Sequence, residues 1–163
     1  MDNLYIKSTL PLLIIVILLL SLFGTNSDIF GSDSPQQIRW VSLEQALDIS
    51  QKERKPIWLD VQTAFCVSCK DMDKNVYQNK EVISLVNEYY CAVKIDADSK
   101  EKITFQGKKL TQSEFVKEVL KVNVYPSHVY FFNEKVHETV PFYQSTTDLQ
   151  KYLQHYISKN SEM

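Results

Sequence analysis

The chain has 163 residues, of which 44% are hydrophobic and 23% charged, and its formal net charge is -2. This length and composition are typical of one globular domain with an apolar core, and they exclude a disordered or fibrous protein. Lysines and arginines are interleaved with acidic residues instead of forming a basic stripe. We therefore expect no binding to nucleic acid.

The N-terminal segment, residues 1–23, is predicted to be a signal peptide or a membrane anchor formed by one hydrophobic helix. The apolar run from Leu10 to Phe23 has fourteen residues, the length of the apolar core of a signal peptide. Counting from Leu4 gives twenty residues, enough for an anchor near 4–23. No clear cleavage site comes after it, which favours the anchor. Lys7 is the one cationic side chain before Arg39, so we expect the remainder of the chain to be extracytoplasmic, on the periplasmic side of the membrane.

Two further regions come after the apolar segment. Residues 24–37 are small and polar, with Gly, Ser and Pro, and are predicted to be a flexible linker. Residues 38–163 are predicted to form the folded domain. The secretory alternative differs only in that cleavage would release this domain instead of leaving it tethered.

The first half of the domain shows helix and strand patterns in alternation. Ser42 and Gln45 make a capping box for a helix over about 42–53. The run PIWLDV is predicted to be a buried strand, and YYCAVKID is the next candidate strand. Between them, beyond the cysteine segment, a helix is predicted to start near Lys80.

The second half begins with residues 97–110, which are predicted to be irregular with a turn at Gly107. A capping box formed by Thr111 and Glu114 then predicts a helix. SHVYFF and VHETVPFY are predicted to be strands joined by a tight turn at 133–135, and a final helix is capped at Ser145. This order of elements predicts an α/β fold with a central sheet covered on both sides by helices.

Cys66 and Cys69 stand three positions apart in TAFCVSCKDM and allow three interpretations. A zinc site needs about four ligands, and neither Cys91 nor the histidines have ligand-like spacing, so we expect no metal. A local disulfide closes too small a loop to stabilise the fold much. A redox pair remains, and nothing in the sequence calls for a cofactor. Cys91 is predicted to be a buried, inert thiol.

The redox interpretation makes specific structural demands. Cys66 follows a predicted strand and precedes a helix whose Met72 and Val76 share one face. A helix N-terminus favours an anion and can lower a thiol pKa from about 8.5 to roughly 3.5–7.5. We expect Cys66 to be exposed and to attack, and Cys69 to be shielded and to resolve.

The segments KPIWLDVQTAFCVSCKDM and VYPSHVYFF resemble thioredoxin-fold proteins. The chain is most similar to membrane-associated, extracytoplasmic thioredoxin-like proteins and to the C-terminal domain of periplasmic thiol-disulfide interchange reductases, over about 38–158. This resemblance implies a thioredoxin fold, with a central mixed β-sheet flanked by helices. It also implies a thiol-disulfide oxidoreductase whose partners are protein disulfide substrates and a membrane or periplasmic thiol electron donor.

The resemblance also implies roles for three further residues. Asp60 matches a buried acid beneath the cysteine pair, where burial would raise its pKa and let it exchange a proton with Cys69. The alternative is a polar residue that caps the turn. Pro126 matches a cis proline against the disulfide, and Tyr125 would offer backbone groups to an extended substrate. The alternative is an ordinary trans proline that opens a strand.

The sequence departs from the family at four places. Phe65 replaces the usual Trp, Val67 and Ser68 replace Gly-Pro, and Tyr125 replaces a small residue before the proline. The reduction potential therefore does not transfer from relatives, although Phe65 and Tyr125 remain candidate substrate contacts. Lys94 is expected near Asp60, but it lies two positions from the family's usual lysine and receives no role.

Two functions remain open from the sequence. The first is an extracytoplasmic thiol-disulfide oxidoreductase that reduces or shuttles protein disulfides. The second is a non-catalytic thioredoxin-fold chaperone or assembly factor that binds extended peptide segments. The intact Cys66–Cys69 pair favours the enzyme, because a protein that only binds peptides does not need both sulfurs.

Overall fold

A computed structural model describes residues 37–161 of the chain. The predicted signal peptide or anchor, residues 1–23, and all of the predicted linker except its last residue lie outside this range. Among the helices of the described range, none combines the length and the apolar character needed to span a membrane.

Five helices and six strands follow one another along the described residues. They are α1 (Leu43–Glu53), β1 (Ile57–Gln62), α2 (Val67–Asn75), α3 (Lys80–Tyr89), β2 (Cys91–Asp96), β3 (Lys102–Phe105), β4 (Lys108–Thr111), α4 (Gln112–Glu114), β5 (Ser127–Phe132), β6 (Lys135–Pro141) and α5 (Thr146–Ser161). The short helix α4 continues without a break as a π-helix, Phe115–Leu120.

Four of the strands form one mixed sheet in the order β2-β1-β5-β6. β1 and β2 run parallel, and the pairs β1–β5 and β5–β6 run antiparallel. The parallel pair requires a crossover connection, which α2 and α3 supply. β3 and β4 form a separate two-stranded hairpin. The predicted central mixed sheet is confirmed.

Side chains of the central strand β1 alternate between two cores, one on each face of the sheet. Ile57, Leu59 and Val61 pack with α1, the hairpin and the π-helix. Trp58 points the other way and packs with side chains of α2, α3 and α5. Both cores are apolar and fully covered, and each buried Leu or Ile contributes about 1.5 to 3 kcal/mol. The prediction of helices on both sides of the sheet is confirmed.

Two helix starts agree with the capping patterns in the sequence. Ser42 and Gln45 form the predicted reciprocal cap at the start of α1. Thr111 and Glu114 do the same for α4. The helix beyond Thr111 nevertheless winds as a π-helix, in which residues five apart share a face. Phe115 and Leu120, which are both buried, are five positions apart, whereas the sequence pattern assumed an α-helix.

The prediction of an irregular segment over residues 97–110 is wrong, because most of it forms the β3–β4 hairpin. Ile103 and Phe105 are buried and alternate with exposed neighbours, the period of a half-buried strand. The turn between the strands is at Gln106 and Gly107, with φ of 49° and 75°. The charged residues around this short alternation conceal it in the sequence, although the turn at Gly107 was correctly predicted.

The turn between β5 and β6 offers a test of turn geometry. Asn133 and Glu134 have φ of 49° and 57°, the left-handed region that a two-residue hairpin turn requires and that Gly occupies most easily. We expect Glu134→Gly to stabilise the fold by about 1 kcal/mol in urea unfolding.

The matched control is Glu134→Ala. Both variants remove the exposed hydrogen bond from Gln106 Nε2 to Glu134 Oε2, at 3.1 Å, but Ala keeps a Cβ. Equal stabilities of the Gly and Ala variants would contradict the expectation.

Candidate active site

The cysteine pair lies at the start of α2, directly after the turn that leaves β1. Cys66 is the N-cap residue of this helix, and Cys66 and Cys69 are joined by a disulfide with their Cα atoms 5.3 Å apart. Cys69 is buried, with 2% of its surface exposed, whereas Cys66 is half-buried. The predicted helix start is present, and Cys69 is shielded as expected, whereas Cys66, which was expected to be exposed, is half-buried.

The local environment of the Cys66 sulfur favours negative charge. The backbone N–H of Cys69 donates a hydrogen bond to Cys66 Sγ at 3.1 Å. The first turn of α2 contains no acidic residue that would oppose an anion at this position. Met72 and Val76, buried against the sheet, fix the helix so that its N-terminus stays at the pair. The arrangement can hold a thiolate once the disulfide is reduced.

Exposed apolar side chains flank Cys66. Phe65 is 89% exposed and Val67 is 80% exposed, far more than is usual for residues of this type. Two aromatic residues that the sequence analysis placed in a strand, Phe142 and Tyr143, instead lie beyond the end of β6 and are also exposed. These four side chains expose apolar surface on the described part of the chain.

The Tyr125–Pro126 peptide bond is cis, as the resemblance implies. Pro126 is buried and Tyr125 is half-buried. The backbone N–H of Phe142 donates a hydrogen bond to the Pro126 carbonyl at 2.8 Å. That carbonyl already has an intramolecular donor, so a substrate strand would have to pair with other backbone groups of this loop.

Asp60 lies in the middle of β1 and is 1% exposed. In the strand register, Lys94 of β2 is its partner on one side and His128 of β5 is its partner on the other. Three ionisable side chains therefore form one row across an otherwise apolar face of the sheet. The expected proximity of Lys94 to Asp60 is confirmed. We call Asp60, Lys94 and His128 the polar row.

Burial dominates the protonation of Asp60 and raises its pKa from 3.8 to about 7. The positive charge of Lys94 and the hydroxyl of Tyr77 act in the opposite direction, and the charge of Asp73 raises the pKa further. The sequence-based expectation of a raised pKa at this position agrees with the structure. A carboxyl group with such a pKa can take up or release a proton near neutral pH.

Tyr77 and His128 complete the surroundings of Asp60, and the sequence analysis assigned neither to the site. The Tyr77 hydroxyl lies 2.9 Å from His128 Nε2, which is 3.9 Å from Asp60 Oδ1. His128 is fully buried and stacks on Trp58. Burial lowers the pKa of His128 to about 3, so the ring is neutral and forms no ion pair with Asp60. Only the strand register, which the sequence did not supply, brings His128 to Asp60.

The positive charge of Lys94 interacts with several neighbouring side chains. Its ammonium group pairs with the Asp73 carboxylate of α2 and lies over the rings of Trp40 and Tyr77, at 4.9 and 5.6 Å from their centres. Because Asp73 neutralises part of this charge, Lys94 lowers the pKa of Asp60 less than burial raises it.

Cys91 is separated from this site by the sheet. It is 5% exposed and packs in the core on the α1 side, opposite the face that carries Asp60. Burial raises the pKa of its thiol, which disfavours the reactive thiolate. Within residues 37–161, no cluster of His, Cys, Asp and Glu side chains is arranged to hold a metal ion.

A family model described as Thioredox_DsbH, protein of unknown function, DUF255, matches residues 21–155 of the chain. Among curated proteins, human spermatogenesis-associated protein 20 is 35% identical over 57 residues, which are 35% of this chain and 7% of that protein. The rat protein of the same name matches to the same extent. The aligned part is thus a small fraction of these long relatives.

Solved structures share the fold at low sequence identity. A thioredoxin from Thermus thermophilus matches with a TM-score of 0.62 and 16% identity, over 76% of this chain and 90% of that one. A structure named DsbH oxidoreductase matches with a TM-score of 0.61 and 20% identity, over 87% and 97%. A disulphide isomerase from Xylella fastidiosa Temecula1 matches with a TM-score of 0.53 and 18% identity, over 70% and 87%. The predicted thioredoxin fold is confirmed.

The raised pKa of Asp60 predicts a pH-dependent cost in stability. The folded state binds this proton more tightly than the unfolded chain, so stability is lost as the pH rises from about 4 to about 7. We expect Asp60→Asn to be more stable than the wild type at about pH 8, by up to roughly 4 kcal/mol, and little changed at about pH 4.

Urea unfolding at the two pH values measures this difference. The exposed carboxylate of Asp98 provides the matched control, because Asp98→Asn makes the same chemical change at the surface. An Asp60→Asn variant whose added stability is the same at both pH values would contradict the assignment.

Proposed function

Because the chain belongs to the Thioredox_DsbH family, we propose that it is a thiol-disulfide oxidoreductase that uses Cys66 and Cys69 to reduce or shuttle protein disulfides. The family and the thioredoxin fold support a disulfide oxidoreductase-type function in general. The observation that carries the proposal for this chain is the position of the pair, with an accessible Cys66 as the N-cap of α2 and a buried Cys69 one turn further on.

The first step of the reaction is attack by the Cys66 thiolate on one sulfur of a substrate disulfide. The substrate S–S bond breaks, its second sulfur leaves as a thiolate, and a mixed disulfide joins Cys66 to the substrate. The Cys69 N–H that contacts Cys66 Sγ at 3.1 Å stabilises the attacking anion before this step.

The second step releases the reduced substrate. The Cys69 thiol gives its proton to the Asp60 carboxylate and attacks Cys66 Sγ, and the substrate departs as its second thiolate. The substrate has then gained two electrons, and the Cys66–Cys69 disulfide has formed. A thiol electron donor in the membrane or the periplasm is proposed to reduce this disulfide again, and Asp60 then returns its proton to Cys69.

Substrate contact is proposed for the surface around Cys66. Phe65 is exposed beside the pair, and Tyr125 and Pro126 form the cis-proline loop. An extended substrate segment lying across this surface would bury Phe65 and use backbone groups of Tyr125. The domain is proposed to act on the periplasmic side, tethered by residues near 4–23 or secreted after cleavage.

Trapping of client proteins tests the proposed chemistry. A Cys69→Ser variant cannot resolve the mixed disulfide, so we expect it to accumulate mixed disulfides with protein clients in the native compartment, visible on non-reducing gels. Cys66→Ser should accumulate none, because it lacks the attacking sulfur. Cys91→Ser is the matched control and should behave as the wild type.

The same variants distinguish the chaperone or assembly-factor alternative. That alternative would take over if Cys69→Ser traps no client and the double variant Cys66→Ser/Cys69→Ser fully complements a deletion of the gene. Binding of extended peptides would then be the activity that the cell needs.

Thiolate formation can be measured directly. In the Cys69→Ser variant, with Cys91 also changed to Ser, Cys66 is the one remaining thiol in the chain. Since the start of α2 stabilises an anion, we expect its ultraviolet thiolate absorbance to appear at a pH well below the value of about 8.5 for free cysteine. Ionisation like that of free cysteine would contradict the proposed role of the helix start.

A further inference from the structure

We propose that Tyr77 and His128 are positioning residues that direct a hydroxyl proton onto the Asp60 carboxylate and so set the pH at which Asp60 exchanges protons with the cysteine pair. This inference rests on the proposed function of Asp60 and deepens it. It concerns two buried side chains that the tertiary structure brings to Asp60.

The tautomer of His128 carries the inference. His128 Nε2 is 2.9 Å from the Tyr77 hydroxyl, whereas His128 Nδ1 is buried without a hydrogen-bond partner among the described residues. A buried N–H without an acceptor is rarer than a buried acceptor without a donor. The hydrogen of the neutral ring therefore lies on Nε2, and His128 donates to the Tyr77 oxygen.

This assignment fixes the direction of the Tyr77 hydrogen. Because the Tyr77 oxygen accepts from His128, its own hydrogen is free to point at another acceptor. The Asp60 carboxyl is the acceptor next to this pair: its Oδ1 lies 3.9 Å from His128 Nε2 and is buried without a hydrogen-bond partner among the described residues, and the Tyr77 hydroxyl lowers the pKa of Asp60. Asp60 and His128 are at most 1% exposed and Tyr77 is 3% exposed, so water does not compete for these groups.

The charged groups around Asp60 explain why a neutral donor matters here. Lys94 approaches from β2, but it is paired with Asp73 of α2, whose own charge opposes a second carboxylate. His128 approaches from β5 without a charge. Tyr77 is thus a donor that stabilises the Asp60 carboxylate and that, unlike Lys94, is not itself paired with another acidic side chain.

The arrangement has a defined consequence for the proposed reaction. When Cys69 gives up its proton, Asp60 accepts it and becomes neutral. The Tyr77 hydrogen bond then no longer stabilises a negative charge on Asp60. When the pair is reduced again, the proton returns to Cys69 and the Tyr77 hydrogen bond stabilises the carboxylate once more. His128 keeps the Tyr77 hydrogen directed towards Asp60 throughout this cycle, and His128 itself gains and loses no proton.

The first test needs no variant. Nitrogen-15 chemical shifts of the imidazole in the full, oxidised wild-type protein report which ring nitrogen carries the hydrogen. We expect a neutral His128 with its hydrogen on Nε2 from about pH 5 to about pH 9. A hydrogen on Nδ1 would overturn the proposal, because Tyr77 would then have to donate to His128 and could not donate to Asp60.

The second test measures the Asp60 proton affinity. Carbon-13 titration of the Asp60 carboxyl group in the oxidised protein is independent of catalysis. We expect Tyr77→Phe, which keeps the ring and removes the hydroxyl, to raise the midpoint by about one pH unit. Tyr130→Phe is the matched control. It removes a buried hydroxyl that has no hydrogen-bond partner among the described residues, and it should leave the Asp60 midpoint where it is in the wild type.

The pH dependence of the step that releases the substrate separates this inference from the proposed function. If Tyr77→Phe shifts the carboxyl titration and the pH profile together, both stand. If it shifts only the carboxyl titration, the positioning role stands and the catalytic role of Asp60 fails. If the titration does not move while Asp60→Asn still slows substrate release, the positioning role is overturned and the proposed function stands.

Discussion

The burial of one carboxyl group, that of Asp60, governs the arrangement of this site. An unpaired carboxylate in the interior is strongly disfavoured, so a buried Asp must either hold its proton or be given donors. Here Lys94 of the neighbouring strand β2 adds a positive charge in the same register, and Tyr77 adds a hydroxyl from beyond α2. These groups compensate the burial only in part, and the result is a carboxyl group that titrates near neutral pH.

The second constraint is the short chain segment between Asp60 and the cysteine pair. β1 ends at Gln62, and the N-cap of α2 is Cys66. The strand that contains Asp60 therefore leads directly to the helix start that contains Cys66. The sulfur occupies a position where hydrogen-bond acceptors are favoured, which a Ser or Asp would fill in a purely structural helix. Under the proposed function, Cys66 and Asp60 are each less favourable for local stability than another residue would be and are retained for their reactivity.

Likeness to known proteins identifies the fold more securely than the activity. The thioredoxin from Thermus thermophilus and the DsbH oxidoreductase are 16% and 20% identical to this chain, and a thioredoxin fold by itself hosts many functions. The function is therefore inferred from particular side chains. The resemblance in the sequence implies that Phe65 in place of Trp and Tyr125 in place of a small residue would change the surface that a substrate meets. It also implies that the cysteine pair and the buried acid supply the reacting groups.

The amino-acid sequence alone was enough to predict the elements whose signals are local: the capping boxes at Ser42 and Thr111, the strand PIWLDV, and the cysteine pair at a helix start. It missed the β3–β4 hairpin, whose four-residue strands are too short to show a clear period. The polar row and the place of Tyr77 emerge only in the folded protein, because these contacts depend on which strands pair and in which register. Residues 51 positions apart, such as Tyr77 and His128, meet only after the sheet has formed, and no local pattern encodes that meeting.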